Sequence, residues 1–264
     1  MPEGDTVYRE AVQLHAALAG STLTRCDLRV PAFATVDLSG QTVHEVVSRG
    51  KHLLIRVGDA TIHSHLKMEG SWHVYPNGTR WRRPEFTARA ILTNERFTAV
   101  GFELGLLEVV PTAAESEVVG HLGPDLLGPD WDPDAALANL VRDPQRAVGL
   151  TLLDQRVMAG LGNVYRSELC FLRGIPPTMA VGDVREPAKL IELAQRLIAA
   201  NRDRPERTTT GNLFRDRLWV YGRGEQPCRR CGTRIEHGRL GDDELQLRDV
   251  WWCPSCQPTF SITG

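Results

Sequence analysis

Cys228-Arg229-Arg230-Cys231 and Cys253-Pro254-Ser255-Cys256 stand in the last part of the chain, with twenty-one residues between the two pairs. Each C-x-x-C can fold as a tight knuckle, and four thiolates at about 2.3 Å complete the tetrahedral shell of one structural zinc. Two disulfides of an exported domain would use the same residues. The zinc reading predicts a β-hairpin finger over residues 223–264. Arg229, Arg230, Arg234, Arg239 and Arg248 surround it with Trp251 and Trp252, a composition suited to gripping a polyanion. Such a finger holds something; it does not say what is done to the thing held.

Working back from the finger, the 264-residue chain has room for two further domains. Its composition, 42% hydrophobic and 24% charged, is that of a water-soluble protein, and no apolar run approaches the roughly eighteen residues of a membrane span. No basic stretch followed by an apolar core opens the sequence, so no export signal is expected and a reducing cytoplasm is the expected compartment. Cys26 and Cys170 stand alone in apolar contexts and read as inert core residues. The net charge of −2 excludes a uniformly basic polyanion binder. Between Arg49 and Arg96, however, nine Arg or Lys face four Asp or Glu, with four histidines among them. That stripe suits phosphate, or equally a solvated, salt-bridged face. Lysine occurs only at positions 51, 67 and 189, against 28 arginines.

Asp5 can cap a helix whose apolar residues fall at Val7, Ala11, Leu14 and Leu18. Residues 21–110 then alternate in short runs broken by Gly, Asn and Pro: Thr42–Val47, His52–Val57, Ala90–Thr93 and Leu104–Val110. These predict a β-sandwich or barrel. Pro and Gly crowd residues 111–133, the signature of a linker. Helices are predicted at Asp134–Val141, Gln145–Met158, Val164–Leu172 and Pro187–Ala200. The turn Ala159-Gly160-Leu161-Gly162 leaves Asn163 at the head of the third. A helix N-terminus can seat a phosphate, and an asparagine there can also do no more than cap. The fold class expected is therefore α+β and multidomain: an N-terminal β-sandwich with its own N-terminal helix (1–120), a linker (121–133), a helical domain (134–222) and the finger (223–264).

At the other end, Pro2 follows an initiator methionine of the kind that is removed before small residues. The exposed secondary amine would lie beside Glu3, in a pKa range that leaves an appreciable neutral fraction at pH 7. Such an amine can attack a sugar's anomeric carbon and form an iminium ion, which acidifies the neighbouring C–H and permits elimination. Many chains begin Met-Pro without consequence, so this pair alone decides nothing.

The combination does. Met1-Pro2-Glu3-Gly4, Ser48-Arg49-Gly50-Lys51, the turn from Leu153-Asp154-Gln155 to Gly160-Leu161-Gly162-Asn163, and the four-cysteine finger occur in one order from residue 2 to about 257. That order resembles the formamidopyrimidine-DNA glycosylase and endonuclease VIII family of base-excision repair enzymes. The Pro-Glu-Gly start is closer to the endonuclease VIII branch, in its bacterial, actinobacterial-type form. The resemblance implies a bifunctional DNA glycosylase and abasic-site lyase, monomeric, with one structural Zn2+ and a helix–two-turn–helix domain. Its substrate would be damaged DNA, whether duplex, single-stranded or bubble.

Residue by residue, the resemblance makes Pro2 the nucleophile at C1′ and Glu3 the general acid at the deoxyribose ring oxygen. Lys51 would bind phosphate beside the lesion and assist the chemistry. Asn163 and Arg248 would contact phosphates, and Met68 would fill the space left by a flipped base. Met68 as core filler is the alternative reading. An enzyme acting on a stacked base has to extrude it, and an unbranched apolar side chain suits wedging.

Three departures from the family pattern stand out. Asp5-Thr6 replaces the usual Pro-Glu, which bears on the efficiency of the lyase steps. No Asp-x-Arg-x-Phe segment occurs near residues 96–107. The segment Thr208–Val220 is short for a loop covering an oxidised purine. Together they lean towards oxidised pyrimidines. A rival expectation is a damaged-DNA-binding protein that kept the clamp and lost catalysis.

Overall fold

The computed structural model describes residues 2–243 and 245–258. The chain divides into two compact units, with the boundary after His121.

The first unit opens with helix α1 (Gly4–Leu18), whose apolar stripe Val7, Ala11, Leu14 and Leu18 is buried as its spacing predicts. The strands that follow are β1 (Arg25–Leu28), β2 (Val43–Arg49), β3 (His52–Val57), β4 (Ala60–His65), β5 (Ser71–Pro76), β6 (Ala88–Thr93), β7 (Phe97–Phe102) and β8 (Leu106–Pro111). They pair antiparallel into two four-stranded sheets, ordered β1-β6-β7-β5 and β2-β3-β4-β8. One core serves both sheets and the helix: Leu28, Trp72, Ala90 and Leu92 from the first sheet meet Val43, Leu53, Ile55, Ile62 and Leu107 from the second, over α1. This is the expected sandwich. Because side chains alternate across a strand, sending Leu53, Ile55 and Ile62 into that core sends His52, His63 and His65 to the opposite face of their sheet. Helix α2 (Glu115–Val119) covers part of that face. There Glu115 accepts from Arg56 at 2.7 Å and from the Thr61 hydroxyl at 2.6 Å.

The second unit contains α3 (Pro133–Leu140), α4 (Val148–Thr151), α5 (Asn163–Arg173), α6 (Pro187–Asn201) and the hairpin β9 (Glu236–Leu240) with β10 (Arg248–Trp252). Asp132 caps α3, its carboxylate accepting from the Asp134 and Ala135 amides. Gly174, in the left-handed region at φ 67, ends α5. The helices bury Leu140, Val148, Leu161, Tyr165, Leu169, Ile191 and Ile198 in a core of their own. A smaller cluster of Phe171, Val220, Ile235, Cys228 and Cys253 sits at the root of the hairpin.

Two local expectations fail. The helix expected over Gln145–Met158 is only the single turn α4. Its leading amides are used elsewhere: Val148 N–H donates to Met179 O and Gly149 N–H to Pro177 O, at 2.8 and 2.9 Å. Asp154 ends the turn by accepting from the Arg156 amide, local competition typical of Asp. Asp5 does not cap α1 either. It lies inside the helix, buried, and Glu3 occupies the N-cap position.

Candidate active site and metal centre

In the first unit, Glu3 is fully buried in extended conformation (φ −126°, ψ −174°), and its carbonyl accepts from the Thr6 and Val7 amides at 3.0 and 3.1 Å. Pro2, partly exposed, is therefore held one residue outside a helix N-terminus by a locked neighbour. Met1 lies outside the described residues. Further along the same helix, Glu10 is buried and accepts from the Trp72 amide at 2.9 Å. Burial pushes its carboxyl up to about 7, against the opposing pull of that hydrogen bond and of Arg9 and Arg83.

Lys51 sits in the two-residue turn joining β2 to β3, where Arg49 and His52 are paired. Gly50, at φ 59, takes the left-handed first position, a type II′ requirement that a side chain would oppose. Lys67 and Met68 follow β4. Lys67 is itself left-handed at φ 55, and its stem lies so close to Gly105 that a Cβ there would come within 2.6 Å of Lys67 Cβ. Met68 is 58% exposed, which removes the core-filling role.

Sequence reasoning missed a cluster beside that turn. On the outer face of the sheet, His63 Nδ1 lies 2.7 Å from Glu108 Oε1, and His63 Nε2 lies 2.7 Å from His52 Nδ1. The His52 and His63 rings stack at 4.9 Å, with His65 edge-on to His52 at 5.1 Å. His63 is 1% exposed. The four interspersed histidines were the available signal; the register that gathers three of them was not.

In the second unit, Asn163 is the first residue of α5. The N-cap is Gly162, which has no side chain to cap with, and the Asn163 side-chain amide is engaged with the hairpin. It donates to the carbonyl of Asp249 on β10 at 2.8 Å, and the buried Arg166 donates to the same carbonyl and to Asn163 Oδ1. Because Asp249 follows Arg248, this bond brings the two expected phosphate ligands of the unit onto adjoining elements. Arg248 itself is exposed at the start of β10. Gln155 staples the turn before Asn163, donating to Leu153 O and Leu161 O and accepting from the Gly160 amide at 2.8 to 3.0 Å. Asp154 is bound by Arg156 and Arg146, which hold its carboxyl well below the usual range. Arg146 also reaches Asp242 beyond β9 at 2.7 Å, tying the helical part to the hairpin.

The four cysteine sulfurs lie within 4.8 Å of one another, with Cys228–Cys256 at 3.9 Å and Cys231–Cys253 at 3.5 Å. A tetrahedron of sulfurs about 2.3 Å from a centre has edges near 3.8 Å, so the set fits one zinc-sized ion. The knuckles are independently braced. Cys228 N–H donates to Thr233 O, and Gln257 accepts from Cys253 N–H while donating to Ile175 O. Arg230, inside the first knuckle, covers the Phe171 ring at 4.3 Å.

A β-sandwich headed by Pro2-Glu3, a helical unit with Asn163 at the head of α5 and a four-thiol hairpin together define one class of protein. Residues 1–104 match the formamidopyrimidine-DNA glycosylase N-terminal domain and residues 122–200 the H2TH domain of the same enzymes, so the chain belongs to the formamidopyrimidine-DNA glycosylase family. Within it, the chain is 56% identical to a Streptomyces coelicolor protein named "Probable endonuclease 8 2", over 97% of this chain and 94% of that one. It is 52% identical to the Mycolicibacterium smegmatis "DNA-(apurinic or apyrimidinic site) lyase Nei2", over 97% and 99%. The expected endonuclease VIII branch is the one these relatives occupy. The fold also matches the solved structure of MutM in complex with carbocyclic 8-oxo-G containing DNA, with a TM-score of 0.77 at 22% identity, covering 98% of this chain and all of that one. Among the described residues, no helix is long and apolar enough to cross a membrane.

Proposed function

We propose that the protein is a bifunctional DNA glycosylase and abasic-site lyase of base-excision repair, acting on oxidised bases with pyrimidines favoured. The observation that carries the reading is the head of α1, where a proline is fixed beside a buried glutamate in a chain whose relatives are named for this activity.

With Met1 removed, the Pro2 nitrogen attacks C1′ of the damaged nucleotide. The N–C1′ bond forms as the glycosidic bond breaks, the base leaves with a proton, and Glu3 protonates the ring oxygen as the sugar opens. The iminium so formed acidifies C2′. Loss of that proton expels the 3′ phosphate by β-elimination, after which either water releases Pro2 or a second, δ-elimination expels the 5′ phosphate before release. Lys51 on its tight turn and Arg248 at the start of β10 neutralise backbone phosphates, Asn163 at the head of α5 donates a hydrogen bond to one, and Met68, exposed and unbranched, is suited to wedging into the stack. Cys228, Cys231, Cys253 and Cys256 would hold one Zn2+, which when bound supplies folding energy to the hairpin and no step of the reaction.

Borohydride reduction in the presence of an abasic or thymine-glycol oligonucleotide tests this reading. The processed protein should give a covalent adduct. A processed protein that binds the oligonucleotide without forming an adduct would be a damaged-DNA binder instead.

A further inference from the structure

The polar row on the outer face of β3, β4 and β8 has no part in the reaction as written, yet the fold invests heavily in it. Strand register sets His63 opposite Glu108 and His52 opposite His65, and burying an imidazole there is costly unless its nitrogens are bonded. They are, and the bonds have a direction. The Glu108 carboxylate accepts, so His63 Nδ1 donates. In a neutral His63 ring Nε2 is then left as an acceptor, and His52 Nδ1 supplies the proton between them. His52 therefore carries its proton on Nδ1 and leaves Nε2 bare.

We propose that Glu108 and His63 are positioning residues that lock His52 in the Nδ1–H form and so hold the Gly50–Lys51 turn with a hydrogen-bond acceptor at its foot. This deepens the reading in which Lys51 works beside the lesion, and it rests on that reading for its effect on rate.

Three observations support the chain. His52 is the first residue of β3 and pairs with Arg49 across the Gly50–Lys51 turn, so the ring is anchored at the base of that turn. Burial, together with the neighbouring His63, His65, His121 and Lys67, pushes the His52 imidazole down to about 3, so the ring is neutral at working pH and has only one proton to place. His65 is fixed in the opposite sense: its Nδ1 accepts from the Lys67 amide at 2.9 Å, leaving its proton on Nε2. Burial and the charges of Lys67 and Lys51 push it down to about 4. The other charged groups facing the chain are Glu115 of α2, which acts on His63 electrostatically, and Arg56, which Glu115 and Glu45 bind. Two neutral rings of opposite tautomer thus flank the turn without adding positive charge to a site that already has two lysines.

The test uses the full-length protein with 15N-labelled histidine. Long-range 1H–15N spectra at pH 7 should show His52 and His63 as Nδ1–H and His65 as Nε2–H. His63→Phe keeps the ring stacked on His52 and removes both nitrogens. His52 should then pass to the Nε2–H form, and cleavage of a preformed abasic strand should slow about tenfold in kcat with KM unchanged. Glu108→Gln, at a partly exposed position, should slow it less, in the same direction. A wild-type His52 in the Nε2–H form overturns the relay, as does a His63→Phe protein that cleaves at the wild-type rate. Tautomers as stated in a wild-type protein that cannot cleave abasic DNA would leave the chain standing and sink the proposed function.

Discussion

Helices α1 and α5 begin alike and are used differently. Each is preceded by a residue in extended conformation, Glu3 or Gly162, and neither has a side chain bonded at its cap. A helix start without a side-chain cap ordinarily forgoes about 1 kcal/mol. In both places the forgone cap leaves a polar group next to the helix head. At α1 that group is the Pro2 nitrogen, proposed to be the amine freed when Met1 is removed; the two residues before the helix bring it there, so its placement is local. At α5 it is the Asn163 amide, and what it faces is decided by a carbonyl 86 residues further on. In the proposed reaction the same backbone device gives a reactive group that depends on removal of Met1 and a binding group that depends on the hairpin.

The largest effect should come from breaking the local half. A protein retaining Met1 should give no borohydride adduct while its affinity for abasic DNA, read by fluorescence anisotropy, stays within a few-fold. A trapped adduct from unprocessed protein would separate the chemistry from α1 altogether. Breaking the long-range half comes next. With one Zn2+ held by the four thiols, as proposed, removing it would withdraw on the order of 10 kcal/mol of binding energy from the hairpin. Amide exchange in β9 and β10 should then rise, the Asn163–Asp249 bond should be lost and DNA binding should weaken, with α1 and the sandwich as protected as before. Equal loss of protection in both units would mean the two helix heads are not independent.

Glu10 sharpens the contrast, because it links α1 to the sandwich rather than to substrate. Its folded-state value near 7 lies above its ordinary 4.5. The folded state therefore binds the proton more tightly, and stability falls as pH rises from 4.5 to 7. Glu10→Gln keeps an acceptor for Trp72 and should raise stability above pH 7 by up to about 3 kcal/mol. The gain should vanish below pH 4.5, as measured by urea denaturation across that range. A gain that does not change with pH would put Glu10 outside this account. The smallest effect belongs to the exposed hairpin arginine. Arg248→Ala should lower the slope of log affinity against log salt by about one unit, uniformly across sequences. An unchanged slope would remove Arg248 from the phosphate contacts.

The four thiols, the Pro2-Glu3 start and the Asn163 turn were legible in the sequence because each is a short, contiguous pattern with a chemical reason for its spacing. The stripe of α1 and the edges of the β2–β3 hairpin were legible for the same reason. The helix expected at Gln145–Met158 was misread because Val148 and Gly149 give their amides to residues some thirty positions on, which no periodicity records. The Glu108–His63–His52 chain was invisible because it joins three strands through register, and a shift of one residue in β4 would turn His63 into the core.

The amino-acid order by itself determined which groups this protein has and the local setting of each: a proline two residues before a helix, a lysine in a two-residue turn, an asparagine at a helix head and thiols at ion-binding spacing. Those are properties of a few consecutive residues, governed by local backbone preferences. Tertiary structure alone decided what each group faces. Strand pairing placed a carboxylate on His63, the hairpin placed the Asp249 carbonyl against Asn163, and burial moved Glu10 to the edge of neutrality. Hydrogen bonds and desolvation act between atoms close in space, and the chain brings those atoms together only when it folds.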